Sequence, residues 1–279
     1  MILIKDILTL QKQLSNYKDA GKTIGFIPTM GALHIGHISL INKATLENDV
    51  TVCSIFVNPT QFNNATDFQK YPITIDADIE KLEKAGCGIL FLPSVEEMYP
   101  TGEKKMHYDL GALETILEGK YRPGHFQGVC MIVDKLLAAV NPTVLYLGRK
   151  DYQQCMVIAA MMQLRHYNIR LSICDTVREK DGLAMSSRNM RLNEVERKQA
   201  LRIIESLTLI KNNIKKGNVE SLKKEATHFL ESNGYKVDYT EIADEQTLQL
   251  QDEWDGEKKL VALVAAYLNE VRLIDNIIL

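Results

Sequence analysis

Short β-branched runs alternate with longer amphipathic runs along the first two thirds of this sequence. Of all the features of the sequence, this alternation restricts the possible folds most. Apolar runs with the length of buried strands lie at 23–29, 50–57, 88–93, 143–148 and 169–176. Segments of helical length lie between them at 36–47, 75–85, 128–139 and 152–166. Strands separated by helices predict an α/β fold with a Rossmann-like, doubly wound parallel sheet, whose ligands bind beyond the carboxyl ends of the strands.

The pattern changes after Arg188, where charged amphipathic segments are followed by apolar runs. Helices are predicted at 193–217 and 220–234, each ended by a glycine, and antiparallel strands at 236–244, 259–268 and 271–279. We therefore predict a Rossmann-like domain over residues 1–177 and a smaller α+β domain over residues 178–279.

Charge and cysteine usage exclude several classes of protein. The net charge of -3, from 33 basic and 36 acidic residues, leaves no long basic patch for a nucleic acid. The cysteines lie far apart in apolar runs without a CxxC motif, which is typical of reduced, buried thiols in a cytoplasmic protein; they are Cys53, Cys87, Cys130, Cys155 and Cys174. No apolar run approaches the roughly 20 residues that span a membrane.

The segment PTMGALHIGH, residues 28–37, follows the first predicted strand and leads into a helix. We expect Pro28 to end the strand and the glycines to allow a tight turn before the amides of the helix N-terminus, which attract phosphate. His34 and His37 would project together and donate hydrogen bonds to phosphate oxygens. The segment therefore indicates a nucleotide triphosphate site, while a zinc pair or two incidental histidines stay open as alternatives.

Two further strand ends carry groups suited to a nucleotide. YLGRKDYQQ, residues 146–154, places Lys150 at a helix start for phosphate and Asp151 within reach of ribose hydroxyls. In REKDGLAMSSRN, residues 178–189, serine hydroxyls and Arg188 are suited to phosphate oxygens. A surface charge cluster and a polar linker are the respective alternatives.

Neutral amides follow the second strand in SIFVNPTQF, residues 54–62. Asn58 and Gln61, beside two phenylalanines, suit a small, partly apolar substrate, although an ordinary Asn-Pro turn is the alternative. RPGHF, residues 122–126, is a Pro-Gly turn to which we assign a structural or lid role rather than a catalytic one.

The segments PTMGALHIGH, SIFVNPTQF, YRPGHFQGV, LGRKDYQQ and DGLAMSSRN occur in an order and spacing that resembles the pantothenate synthetase (pantoate–β-alanine ligase) family. The resemblance extends from Thr23 to the closing RLIDNIIL. This family belongs to the nucleotidyltransferases that share the HxGH signature, and MSSR at 185–188 is similar to their mobile KMSKS-type loop.

The resemblance implies an ATP-dependent ligase that joins (R)-pantoate to β-alanine through a pantoyl adenylate, releasing pyrophosphate and then AMP. It implies ATP bound with Mg²⁺, a homodimer, and a flexible lid formed by residues 178–279.

The resemblance also implies the residues of the site. ATP would contact Met30, Gly31, Ala32, Leu33, His34, Ile35, Gly36, His37, Gly148, Arg149, Lys150, Asp151, Val177, Met185, Ser186, Ser187 and Arg188. Of these, His34 and His37 would contact the triphosphate, with His37 as proton donor, and Lys150 would bridge phosphates in the transition state. Gln61 and Gln154 would bind pantoate, and Gln61 and Asn58 would bind β-alanine.

Two positions depart from the family pattern. Arg149 stands where Glu or Gln is more usual, and because Gly148, Lys150 and Asp151 are intact we expect altered substrate affinity rather than lost activity. Residues 63–66 replace a more usual Gly-Pro-Asn-Glu, which we expect to affect lid order or dimer contacts.

Other classes share parts of this pattern. A nucleotidyltransferase that adenylylates or cytidylylates a small phosphorylated metabolite would need extra basic residues near the acceptor, and segment 54–62 has none. A tRNA-charging enzyme would need an anticodon module that the small C-terminal part does not supply. A non-catalytic nucleotide sensor stays open until pyrophosphate release is measured.

Overall fold

The structure is a computed structural model that describes residues 1–63, 65–102 and 106–279. Asn64, within the 63–66 segment that departs from the family pattern, lies outside the described residues. The strands are β1 (Ile2–Ile4), β2 (Ile24–Thr29), β3 (Val50–Ile55), β4 (Ile89–Phe91), β5 (Val144–Gly148), β6 (Arg170–Cys174), β7 (Gly217–Asn218), β8 (Lys236–Asp244), β9 (Glu253–Trp254), β10 (Leu260–Leu268) and β11 (Val271–Ile278). The helices are α1 (Ile7–Asp19), α2 (Ile35–Glu47), α3 (Ala65–Gln69), α4 (Ile75–Lys84), α5 (Val95–Met98), α6 (Leu117–Tyr121), α7 (His125–Val140), α8 (Tyr152–Leu164), α9 (Glu194–Gln199), α10 (Arg202–Asn213) and α11 (Glu220–Ser232).

A parallel sheet with strand order β1-β4-β3-β2-β5-β6 forms the centre of the first part of the described chain. This confirms the α/β prediction, and β2 to β6 coincide with the five predicted strands. From β2, the strand order runs through β3 to β4 on one side, and the chain then returns to add β5 and β6 on the other side of β2. The carboxyl ends of β2, β3 and β5 therefore lie side by side at one edge. Ligands of doubly wound sheets bind at such a point.

The expectation that Pro28 ends the first predicted strand is wrong. Pro28 pairs with Ser54, and Thr29 pairs with Ile55, so β2 continues along β3 to residue 29. On its other side, β2 pairs with β5 only through Gly25 and Phe26. A proline lacks one N–H donor, but pairing along the neighbour that does not need that donor continues.

Alternate residues of β2 enter different cores. Ile24 and Phe26 pack with side chains of α1, α7 and α8, while Ile27 packs with α2 and α4. This period of two is what a strand buried on both faces requires. Helices therefore cover both faces of the sheet. No helix in the described ranges is long and apolar enough to span a bilayer.

A second sheet, of order β11-β10-β8, is antiparallel and packs with α10 and α11 around its own core. The predicted helix 193–217 is divided into α9 and α10, and it ends at Asn213. Gly217, predicted to end that helix, instead lies in β7 with φ at +114°. Gly234 follows α11 with φ at +85°, as expected of a glycine after a helix.

The described chain forms two compact units. The first comprises Met1–Arg149 and Gln153–Asp175, and the second comprises Lys150–Tyr152 and Thr176–Leu279. The short segment that contains Lys150 thus belongs to the second unit. A single boundary at residue 177 would assign it to the first. The division of function between residues 1–177 and 178–279 stays a prediction.

Candidate functional site

The two histidines of PTMGALHIGH form the start of α2. His34 is the N-cap residue, and its Nδ1 accepts a hydrogen bond of 3.1 Å from the Gly36 amide. In return, Nδ1 of His37 accepts from the His34 amide at 3.3 Å. The two ring centroids lie 4.0 Å apart. The imidazoles therefore perform the reciprocal capping that Ser or Thr and Glu perform in a capping box.

This capping fixes the tautomer of both rings. An Nδ1 that accepts a hydrogen bond carries no proton, so each neutral imidazole carries its proton on Nε2. The Nε2–H groups are then donors beside the amides of a helix N-terminus, where an anion is favoured. Among the described residues, no group of three or more His, Cys, Asp or Glu side chains is arranged to hold a metal ion.

The turn before α2 is held by a carboxylate that the sequence analysis missed. Asp78, on α4, accepts hydrogen bonds of 2.8 Å from the amides of Ala32 and Leu33. Its side chain is fully buried, and Nζ of Lys81 lies 3.8 Å away and donates to the Leu33 carbonyl at 2.7 Å. Gly31 has φ at +83°, which strains a residue with a side chain, and a Cβ there would lie 3.1 Å from Cγ2 of Ile55 and 3.3 Å from Oδ2 of Asp78. Asp78 therefore fixes the backbone that leads to His34.

Replacing Asp78 with asparagine is expected to lower the free energy of unfolding by about 2 kcal/mol, because an amide nitrogen cannot accept the second backbone hydrogen bond. Urea denaturation measures this loss. The matched control is Asp76→Asn, since Asp76 is exposed in the same first turn of α4 and loses the same interaction with the helix dipole. Equal losses in the two variants would contradict a specific role for Asp78.

The NPTQ turn after β3 brings Gln61 against the histidine segment. Nε2 of Gln61 donates to Sδ of Met30 at 3.0 Å, and the Gln61 carbonyl oxygen lies 2.8 Å from Nδ1 of His125. Gly128 permits this approach of α7, because a Cβ there would lie 2.4 Å from the Thr60 carbonyl oxygen. The structural role expected for RPGHF agrees with this contact of His125.

Both polar atoms of the Asn58 side-chain amide form hydrogen bonds, with this turn and with residues that pack against it. Its Nδ2 donates to Oε1 of Gln61 and to the Gly128 carbonyl, both at 3.1 Å. Its Oδ1 accepts from the Tyr99 hydroxyl at 2.7 Å and from the Thr60 hydroxyl at 3.0 Å. Asn58 is 1% exposed, so it orients the Gln61 side-chain amide from a buried position. Direct contact of Asn58 with β-alanine stays a prediction.

The end of β5 leads from Gly148 into a 3-10 turn over Arg149–Asp151 and then into α8. Arg149 forms an ion pair of 2.5 Å with Asp175, so the charge it adds is balanced within the first unit. The two glutamines of DYQQ differ in surroundings. Gln153 is buried and bonded to the backbone at Glu118, Leu113 and Ile116, whereas Gln154 is half-buried. Gln154 is therefore the member of this pair with access to a ligand.

In the second unit, Lys150 is mostly buried, and its Nζ lies 3.4 Å from Oδ1 of Asp151. Residues 177–188 form a turn closed by backbone hydrogen bonds rather than an extended linker. The Met185 amide donates to the Val177 carbonyl at 3.0 Å, and Arg178 pairs with Ala184 in an antiparallel bridge.

The two serines of the MSSR segment differ in exposure. Ser186 caps a short 3-10 helix by accepting from the Arg188 amide at 3.2 Å, whereas Ser187 is only 7% exposed. The hydroxyl of Ser186 is thus the more accessible of the two. Phosphate contacts of both serines stay predictions.

The cysteines are free thiols; four are buried as expected, whereas Cys174 is half-buried. Burial raises the pKa of Cys87 to about 11 and that of Cys130 to about 12, and it also raises the pKa of Cys53. Burial of these three thiols therefore disfavours the thiolate, which is the nucleophilic form of cysteine.

Comparison with known proteins identifies relatives along the whole chain. The family described as pantoate-β-alanine ligase matches residues 2–278. A pantothenate synthetase of Phocaeicola vulgatus is 46% identical over 279 residues, which cover 99% of both proteins. One of Bacteroides fragilis is 45% identical over 278 residues, covering 99% of this chain and 98% of that protein.

Solved structures agree with these matches. The crystal structure of pantothenate synthetase from Thermus thermophilus has a TM-score of 0.91 at 36% identity, covering 99% of each chain. The pantoate-β-alanine ligase of Francisella tularensis was crystallised with β-γ ATP and β-alanine, and it has a TM-score of 0.80 at 39% identity. That match covers 100% of this chain and 97% of the other.

Proposed function

Since this chain belongs to the pantoate–β-alanine ligase family, we propose that it joins pantoate to β-alanine with consumption of ATP, forming pantothenate. The observation that carries the proposal is the paired capping of α2 by His34 and His37 at the carboxyl edge of the sheet. It leaves two Nε2–H donors at a helix N-terminus beside the amide of Gln61, which contacts Met30 in the same segment.

The first step in this proposal is attack of the pantoate carboxylate on the α-phosphorus of ATP, which forms pantoyl adenylate and expels pyrophosphate. Negative charge grows on the leaving oxygens, and donors aimed at those oxygens lower the barrier. His34 and His37 supply such hydrogen-bond donors without a permanent charge, and Nε2–H of His37 donates its hydrogen bond to the leaving pyrophosphate. Lys150 neutralises the phosphates, and ATP enters as its Mg²⁺ complex.

The two side chains assigned to pantoate carry no charge. Gln61 and Gln154 bind pantoate through neutral amides, which leave its carboxylate nucleophilic, whereas a bidentate arginine would hold the carboxylate in place as an ion pair. In the second step the β-alanine amine attacks the acyl carbon, forms the amide bond and expels AMP. Gln61, held by Asn58, then lies at the β-alanine end.

The adenine and phosphates are assigned to residues beyond the histidine segment. Val177 presents its backbone to the base, while Gly148, Arg149, Lys150 and Asp151 contact the ribose and phosphates. Met185 to Arg188 contact the phosphates. A homodimer, a cytoplasmic location and a lid role for residues 178–279 stay predictions from the sequence resemblance.

Pyrophosphate and AMP release test the proposed function. Purified protein with ATP, Mg²⁺ and pantoate should release pyrophosphate, and AMP should appear only after β-alanine is added. Omission of pantoate is the control. Absence of pyrophosphate with all substrates present would contradict the ligase, and pyrophosphate release on a phosphorylated acceptor, without AMP, would indicate a nucleotidyltransferase instead.

A further inference from the structure

Two adjacent polar residues are buried in the last strand. Asp275 and Asn276 of β11 are 3% and 4% exposed, in a strand that otherwise carries apolar residues into the core of the second unit. Successive side chains of a strand point to opposite faces, so both faces of β11 carry a polar group at this point. Buried polar groups are costly unless they are hydrogen-bonded, and the partners of these two residues are Arg178 and the backbone of Lys150.

Asp275 holds Arg178 in a bidentate ion pair. Nη1 of Arg178 donates to Oδ2 at 2.6 Å, and Nη2 donates to Oδ1 at 3.0 Å. Arg178 also donates to the Gly182 carbonyl at 3.1 Å, which closes the turn over 178–184. Arg178 directly follows Val177, and the Met185 amide donates to the Val177 carbonyl, so the ion pair fixes the turn that joins Val177 to Met185.

Asn276 links this ion pair to the second nucleotide segment. Its Nδ2 donates to the Lys150 carbonyl oxygen at 2.9 Å, while its own carbonyl oxygen accepts from Nη2 of Arg178 at 3.2 Å. The Asn276 amide donates to Oδ1 of Asp275 at 2.8 Å. One residue of β11 therefore contacts both Lys150 and the residue after Val177.

We propose that Asp275 and Asn276 are positioning residues that hold the Lys150 segment and the 177–188 segment in the arrangement that binds ATP. The proposal rests on the proposed function for the identity of the ligand. A buried ion pair adds little to stability compared with apolar residues of similar volume, so packing alone does not account for one in this strand. Fixing two backbone segments in register accounts for both residues.

The sharpest test compares Asp275→Asn with Asp238→Asn. Asp238 forms a similar pair with Arg272, at 2.7 Å between Nε and Oδ2, and their side chains are 12% and 13% exposed in the same sheet. Calorimetry with Mg·ATP should give a dissociation constant about 10-fold higher for Asp275→Asn and within about 2-fold of the wild type for Asp238→Asn. Hydrogen exchange should accelerate at the Met185 amide only in Asp275→Asn.

A second variant covers the outcome in which Asp275→Asn does not fold. Asn276→Leu keeps the volume and removes the donor to the Lys150 carbonyl, and it should also raise the dissociation constant for ATP about 10-fold. The KM for β-alanine should not change. A melting temperature lowered equally in Asp275→Asn and Asp238→Asn, with ATP affinity kept in both Asp275→Asn and Asn276→Leu, would overturn the proposal.

The ATP-binding and hydrogen-exchange measurements do not require turnover. Wild-type protein that binds ATP but forms no pantothenate would contradict the proposed function. The ATP affinities of Asp275→Asn, Asn276→Leu and Asp238→Asn would still decide whether Asp275 and Asn276 are positioning residues. Wild-type protein that does not bind ATP would contradict both proposals.

Discussion

Replacing His37 with alanine is expected to lower the rate of pantothenate formation by about 100-fold or more, the usual loss for one transition-state donor. In the wild type, Nδ1 of His37 accepts from the His34 amide, so the proton lies on Nε2, from which we expect a hydrogen bond to the leaving pyrophosphate. The loss should be in kcat, measured by coupled detection of pyrophosphate. The KM for β-alanine should change little, because β-alanine reacts only in the second step, with the pantoyl adenylate.

His37→Ala removes a helix cap together with the donor, so a second variant is needed to separate the two effects. The side-chain oxygen of His37→Asn occupies a position similar to Nδ1 and can still accept from the His34 amide, but it leaves no group at Nε2. We expect His37→Ala to lose about 1 kcal/mol of stability and His37→Asn to lose less, with turnover low in both. Recovery of turnover in His37→Asn would assign His37 a capping role only. His166→Ala, at an exposed position, controls for loss of a histidine.

The parts of the site that could be predicted from the sequence are those in which chemistry and local geometry coincide. His34 and His37 are three residues apart at a strand-to-helix turn, and the helix start itself brings them together. Asp78 could not be assigned in this way, because its partners are backbone amides 45 and 46 residues away. A backbone group has no residue identity, so nothing in the sequence marks it as a partner. The available signal was a carboxylate three residues after Ile75, on the apolar face of α4.

The same reason explains why Asn276 escaped prediction. Its contact with Lys150 spans 126 residues and ends on a carbonyl oxygen. The central strands could be predicted, because the buried residues that form a strand such as β3 are consecutive in the sequence. The three-residue edge strand β1 is too short for a period, and α1 follows it without a glycine or proline between, so neither was predicted.

The Lys150 ammonium is expected to contribute as much to kcat as His37 does. Adenylation brings a carboxylate against a polyphosphate, and two unit charges 4 Å apart repel by about 4 kcal/mol in surroundings with an effective dielectric constant of 20. Lys150→Ala should therefore lower kcat by about 100-fold, measured by pyrophosphate release. Lys150→Arg should recover part of this loss because it keeps the charge. Lys224→Ala, an exposed lysine of the second unit, should retain wild-type turnover.

Lys150→Ala and Asn276→Leu act on the two ends of one residue, and their comparison separates charge from position. Lys150→Ala removes the ammonium and keeps the backbone carbonyl that Asn276 holds. Asn276→Leu keeps the ammonium and removes the donor to that carbonyl. If Lys150 acts through charge in the transition state, the first variant should lose kcat while the second should lose ATP affinity. Identical kinetic profiles in the two variants would mean that the position of Lys150 and its charge cannot be assigned separate roles.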